Sequence, residues 1–336
     1  MRHAKGRDHF MFEEGAPAAI QVEKRLLQHG IRIAPGSYLE AAALSAFRLA
    51  EHQAGAASGG SNGDTRAGIA SMIGFMEIGT QLLASIAHPD FHVLAPHLKL
   101  LNEATAFQNQ PSGGNDDASR KLFELLAACW AMSFGSNVIV DDPQFSKGDN
   151  PDVILEYQRV RWAIACKTIQ STSPQSVIDN ISDGVDQIDR SAAQLGIVLI
   201  NAKDTLPLDK YWPEVPNPAG DGPLYGCFAD AEEPFRILAS DLQSISYGIA
   251  QYAGPAEIKA IFKARKAIPA IAFWGHTVSS VLRDGRPVPT AVRQMVFAYV
   301  RKPNQQAVAF INALNDAAMR IPEPRKKRTG RRGLKS

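Results

Sequence analysis

The chain has 336 residues, 45% of them hydrophobic and 21% charged, with 36 Lys and Arg against 34 Asp and Glu for a net charge of +2. This is ordinary globular composition for two units, or for one core with a large elaboration, and its average field is too weak to draw the whole molecule to nucleic acid. Three scattered cysteines (Cys129, Cys166 and Cys227) exclude a disulfide framework or a CxxC metal knuckle. No secretory leader and no apolar run of membrane-spanning length is expected, and a cytoplasmic location is.

In chain order, Pro17 to Gln28 predicts a helix with Ile20, Lys24 and Leu27 near one face. Tyr38 to His52 repeats Leu39, Ala43, Leu44, Phe47 and Ala50 at helical spacing. Gly55 to Asp64 predicts a flexible connection. Ile69, Met72, Ile73, Met76, Leu82, Leu83 and Ile86 then fit a long amphipathic helix ending near His88-Pro89. Residues 1–110 therefore read as a helical accessory region. His88 and His92 are four apart, but Pro89 breaks the helix that would align them on a metal.

Asn109 to Asp117 combines Pro, two Gly and paired acids, and marks the start of a second unit over 117–304. A helix capped by Asp117 or Ser119 runs to a stop at Gly135, with Leu122, Leu125, Leu126 and Cys129 on its apolar face. Three short strands follow, over 137–142, 151–157 and 161–169, the last apolar on both sides and so central. Gln158 to Val160 is short enough for a hairpin connection. Ser173-Pro174 opens a helix to about Leu195, and a buried strand follows over 196–204. This order of helix, three strands, helix and strand predicts a mixed sheet flanked by helices. Leu206 to Leu224 is a Pro- and Gly-rich excursion. Helices are expected near Ala239–Tyr252 and Pro255–Lys266. Strands over 268–281 and 290–300, joined by a turn at Asp284-Gly285, then extend the sheet or form a hairpin on it.

Chemistry concentrates between Gly148 and Ile169. The expected hairpin register sets Asp152 opposite Cys166 or Lys167, so that a carboxylate and an ammonium share one site. Phosphodiester hydrolysis needs that pair: a carboxylate to hold Mg²⁺ against the phosphate, and a cation or base to position the attacking water.

Pro151-Asp152, the buried strand ending in Lys167 and the element order of 117–204 together resemble the PD-(D/E)xK, restriction-endonuclease-like superfamily. The resemblance implies an α/β fold with an αβββαβ core and a mixed sheet, here with an N-terminal helical region and a C-terminal helix and strand extension. It implies Asp152, Lys167 and Glu124 as catalytic residues, with Mg or Mn held by Asp152, Glu124 and the backbone carbonyl of Cys166. It further implies nucleic acid, DNA above all, as partner, with Gln187 near the site or the nucleic-acid backbone.

The chain departs from the family at Ala165, where a carboxylate is expected two residues before the lysine; Glu156 lies too far along its strand to replace it. Restoring the ligand by Ala165→Glu is expected to strengthen the site. The Cys166 thiol is expected to face the core, away from the Asp152 and Lys167 face, and to be no nucleophile. Two readings stay open: a Mg²⁺-dependent nuclease with a thinned metal site, and a degenerate nuclease fold that binds nucleic acid or protein without cutting. No membrane partner is expected, and a homo-oligomer is not evident.

The last residues, 322–336, form a basic tail. From Arg325 on, Arg325, Lys326, Lys327, Arg328, Arg331, Arg332 and Lys335 stand with no acid between them, which leaves the preceding chain slightly acidic overall. Such a segment is expected to be disordered and to add salt-sensitive, sequence-independent affinity for phosphates.

Overall fold

The structure, a computed structural model, describes residues 12–53, 65–104, 117–145, 148–218 and 224–320. Helices α1 (Phe12–Gln28), α2 (Tyr38–Gln53) and α3 (Thr65–Ser85) pack on one another, and the short α4 (Ala95–Lys99) follows. The buried side of α1 is Ala19, Val22 and Leu26, while Ile20 and Leu27, the expected inner face, are exposed. The reason is tertiary: Gly79 of α3 has no side chain, and Val22 fills the space a Cβ there would need. In α2 the packed residues are Leu39, Ala42 and Ala43, and Leu44 turns outward. The stretch Arg66–Ser85 is, against expectation, long and apolar enough to cross a membrane, and 67% of it is buried inside the fold.

Helix α5 (Asp117–Phe134) leads into β1 (Ser136–Val140), β2 (Val153–Tyr157), β3 (Val160–Thr168), α6 (Pro174–Arg190) and β4 (Leu195–Asn201). A short α7 (Leu208–Tyr211) and the small hairpin β5 (Glu214–Val215) and β6 (Leu224–Tyr225) make up the excursion. Then come α8 (Glu232–Ile261), β7 (Ala267–Arg283), β8 (Arg286–Tyr299) and α9 (Gln305–Met319). The two helices expected at the start of this last part are both present within α8, which is broken where Gly254 takes a non-helical φ of 75° ahead of Pro255. Asp284 and Gly285, both at positive φ, close the two-residue turn between β7 and β8.

The six long strands form one mixed sheet in the order β1-β2-β3-β4-β7-β8. β3 pairs antiparallel with β2 and parallel with β4, and β7 continues parallel to β4. Side chains alternate across the sheet. Trp162, Ile164 and Cys166 of β3 belong to the cluster with α3, α5 and α9, and Ala163 and Ala165 belong to the cluster with α6 and α8. α9 was not anticipated from sequence. It begins at Asn304, whose side chain caps the Ala307 N–H, and stacks Phe310 on Trp162 at 4.0 Å between ring centres.

The N-terminal helices are tied to this sheet by a buried ionic cluster. Glu77 of α3 lies 2.7 Å from His276 Nδ1 of β7 and 3.4 Å from Arg293 Nη1 of β8. Burial alone would raise the Glu77 pKa, but the His276 and then the Arg293 charges and hydrogen bonds outweigh it and hold the carboxyl below its usual 4.5. A depressed acid stabilises the fold fully above its unfolded pKa and loses that contribution as pH falls through the folded value. Glu77→Gln is therefore expected to destabilise the protein by about 3 kcal/mol at pH 7, because it strips a carboxylate from a buried guanidinium. Denaturant titrations of both chains should show that gap closing below about pH 4.

Candidate functional site

The site is built by the register of β2 on β3. The observed pairs run from Val153↔Ile164 to Tyr157↔Val160, so position 152 falls opposite 165, one or two residues short of the expected register. The difference comes from the turn, which takes only Gln158 and Arg159, both at positive φ, and leaves Val160 in the strand. Asp152 sits just before β2 and is buried, and its Oδ2 accepts the Cys166 N–H at 2.6 Å. Strand N–H groups lie in the plane of the sheet, so this carboxylate is held in that plane where β2 begins. The Cys166 carbonyl points to the same side of β3.

Glu124 reaches the same point from α5. It is buried and shares a hydrogen bond with the Asp152 carboxyl. On its other sides, Lys121 one helical turn earlier lies 2.8 Å from Oε1, and His97 Nε2 of α4 lies 3.1 Å from Oε2. Burial and then the Glu124 charge push Asp152 well above the carboxylate range, and burial raises Glu124 despite Lys121. The Glu124 charge thus disfavours ionisation of Asp152, while the Asp152 contact favours that of Glu124. Burial, helped by Lys121, lowers His97 to about 4, so its ring is neutral. A ring that donates from Nε2 leaves Nδ1 as a buried acceptor, and that atom has no partner.

A third acid joins them from β1. Val140 pairs with Val153, and the Asp141 N–H donates to the Asp152 carbonyl at 3.0 Å, which sets Asp141 directly across from Asp152. Its Oδ2 is buried without a partner, and its charge helps raise Glu124. Asp141, His97 and Lys121 were not singled out from sequence. The pair Asp141-Asp142 closing an apolar strand beside the Asp152 strand was the available signal for the first, and the spacing of three residues before Glu124 for Lys121. Nothing local announces His97.

Lys167 is half-buried beyond Ala165, and its charge lowers the Asp152 pKa without a direct ion pair between the two. Cys166 packs in the core on the α5 side, where burial and then the Asp152 and Glu124 charges keep the thiol neutral. Gln187, expected near nucleic acid, is instead buried. Its amide donates to the Gly148 carbonyl at 2.8 Å and holds the loop that delivers Pro151-Asp152. Glu156 is occupied with Asn137. The tail residues Arg325, Lys326, Lys327, Arg328, Arg331 and Arg332 lie outside the described residues.

Among the described residues, no three His, Cys, Asp or Glu side chains converge as a ready-made metal cage. Comparisons of the chain with protein-family models, with curated proteins and with solved structures find no match.

The expectation for Ala165 changes with the packing. Ala165 is fully buried on the α6 side, and a Cβ placed on Gly184 of α6 would come to 3.4 Å from its own. A carboxylate there has no room and no water. Ala165→Glu is expected to lose at least about 3 kcal/mol of stability in urea denaturation, and not to strengthen the site. Gain of metal affinity at undiminished stability would show that α6 yields.

Proposed function

We propose that the chain is a divalent-cation-dependent phosphodiesterase of the PD-(D/E)xK type acting on DNA, with Asp152 and Glu124 as cation ligands and Lys167 facing the phosphate. The observation that carries this reading is the meeting of Asp152 and Glu124, 28 residues apart in sequence, as buried carboxyls in contact beside the Cys166 backbone. Buried acids pressed together destabilise a fold, and such strain gathers at functional sites. The element order α5-β1-β2-β3-α6-β4, with its antiparallel, antiparallel and parallel pairings, supports a restriction-endonuclease-like core.

The donors suit Mg²⁺ or Mn²⁺. They are carboxylate and carbonyl oxygens, and Mg²⁺ commonly takes only one or two protein carboxylates while keeping waters and substrate oxygens. Asp141, with a buried oxygen that lacks a partner, supplies negative charge where position 165 does not. A bound cation would polarise the phosphate and acidify a water. The chain's own part is to hold the carboxylates rigidly, through the Cys166 N–H and the Gln187 anchor on the Gly148 loop, and to place the Lys167 charge nearby.

One observation favours a second reading, a nuclease fold that binds nucleic acid without cutting. Lys121 already neutralises Glu124, so a cation must displace it. Plasmid nicking in Mg²⁺ and Mn²⁺, beside Mn²⁺ binding followed by electron paramagnetic resonance, separates the two. The nuclease reading expects nicking by the natural chain, loss of at least a hundredfold in Asp152→Asn and Lys167→Ala, and weaker Mn²⁺ binding only in Asp152→Asn. Lys121→Met should bind Mn²⁺ more tightly. DNA binding without nicking in either metal would establish the second reading.

A further inference from the structure

At the end of the sheet away from Asp152, where β4 and β7 begin and β8 ends, lies a cleft of about 400 Å³. Its polar rim is Arg265, Lys266, Arg301, Lys302 and Asn304, and no acid lines it. Its wall is apolar, with Leu195, Ile268, Pro269 and Ala307. Two of the cations are committed within the fold: Arg265 to Asp186 and Asp189, and Lys266 to the Ser191 carbonyl. Arg301 and Lys302 are exposed and make no ion pair with any described residue, and they stand just ahead of the first turn of α9, whose dipole adds positive potential there.

The volume is that of a small-molecule site. The two uncommitted cations, Arg301 and Lys302, with no described acid lining the cleft, ask for an anion, and the apolar wall asks for a flat or hydrocarbon part beside it. We infer that this cleft binds a nucleotide-sized phosphate ester, its phosphate on Arg301 and Lys302 and its apolar part against Leu195 and Pro269. The inference is independent of the Asp152 site, since no residue is shared between the two.

The test is titration calorimetry of the full chain with thymidine 5′-monophosphate and with thymidine, and with a short single strand bearing or lacking a 5′-phosphate. Binding of the monophosphate at least tenfold tighter than thymidine, weakened at least tenfold in Arg301→Ala/Lys302→Ala and further in Arg301→Glu/Lys302→Glu, supports the site. Both residues are exposed, so melting curves of the variants should match the natural chain. A 5′-phosphorylated strand that binds as tightly as the mononucleotide would identify a nucleic-acid end as the source of the phosphate, and one that binds far more weakly would identify the free nucleotide. Equal binding of thymidine and its phosphate, no binding of either, or monophosphate binding untouched by charge reversal would overturn the inference.

Discussion

Everything in this protein is arranged around the need to bury β3 on both faces. A strand reading Trp-Ala-Ile-Ala-Cys leaves no polar side for water, so it must be covered twice. α5 and α9 cover Trp162, Ile164 and Cys166, and α6 covers Ala163 and Ala165. The alternation of large and small side chains sets how near each layer comes. The alanines let α6 approach closely at Gly184, while Trp162 is met by the ring of Phe310. The same strand is the switch point of the sheet, antiparallel on one side and parallel on the other. An acid held against its backbone where β2 begins is therefore held against a strand packed on both faces.

That position explains the electrostatics of the carboxyl cluster. Asp152 obtains one strong hydrogen bond, from Cys166, and the Glu124 charge beside it outweighs the more distant Lys121 and Lys167. Lys121 and His97 relieve Glu124 on its far side and leave the Asp152 contact in place. A purely structural solution would have replaced one acid with an apolar side chain, since buried ionic groups seldom stabilise better than good packing. The Glu77 cluster is the instructive contrast. There one acid faces His276 and Arg293, and its pKa falls, whereas at Asp152 two acids face each other and both rise. The first arrangement joins layers, and the second stores unfavourable energy.

Much of the fold was legible in the sequence because it rests on local rules. The two-sided apolarity of β3, the Pro174 start of α6, the Gly135 end of α5 and the Asp284-Gly285 turn all follow from nearest neighbours, and each stands where those rules put it. The failures are those of distance. The inner face of α1 depended on Gly79, some sixty residues away, and the β2 and β3 register on a turn of two non-glycine residues that accept positive φ. α9 was missed although Asn304 and the spacing of Ala307, Phe310, Ile311 and Leu314 carry the helical signal. In the site, the pair read from the residues was Asp152 with Lys167, which make no ion pair, while Glu124, expected only from the family resemblance, is the side chain that meets Asp152. Ala165 was read as a lost ligand, when the packing makes it the floor on which α6 rests. Gln187 has an amide that could serve a partner or the protein's own loop, and only the position of Gly148 decides between them.

The net charge of +2 conceals how the charges are distributed. Around the C-terminal ends of β3 and β4 acids gather, with Asp152 and Glu124 buried and Asp141 acting on Glu124, and Lys121, Lys167 and the buried Lys203 offset part of their charge. Around the N-terminal ends of β4 and β7 the lining is cationic. Because β3, β4 and β7 run parallel, these are opposite ends of one rigid sheet, and the separation follows from the topology. An anionic polymer would be repelled by the first end unless a cation were bound there, and attracted by the second in every case. Divalent cation at the acid end would thus change the approach of a phosphate chain as well as its chemistry. The salt dependence of binding should then differ with and without the cation, because phosphate contacts at the acid end exist only when the carboxylates are neutralised.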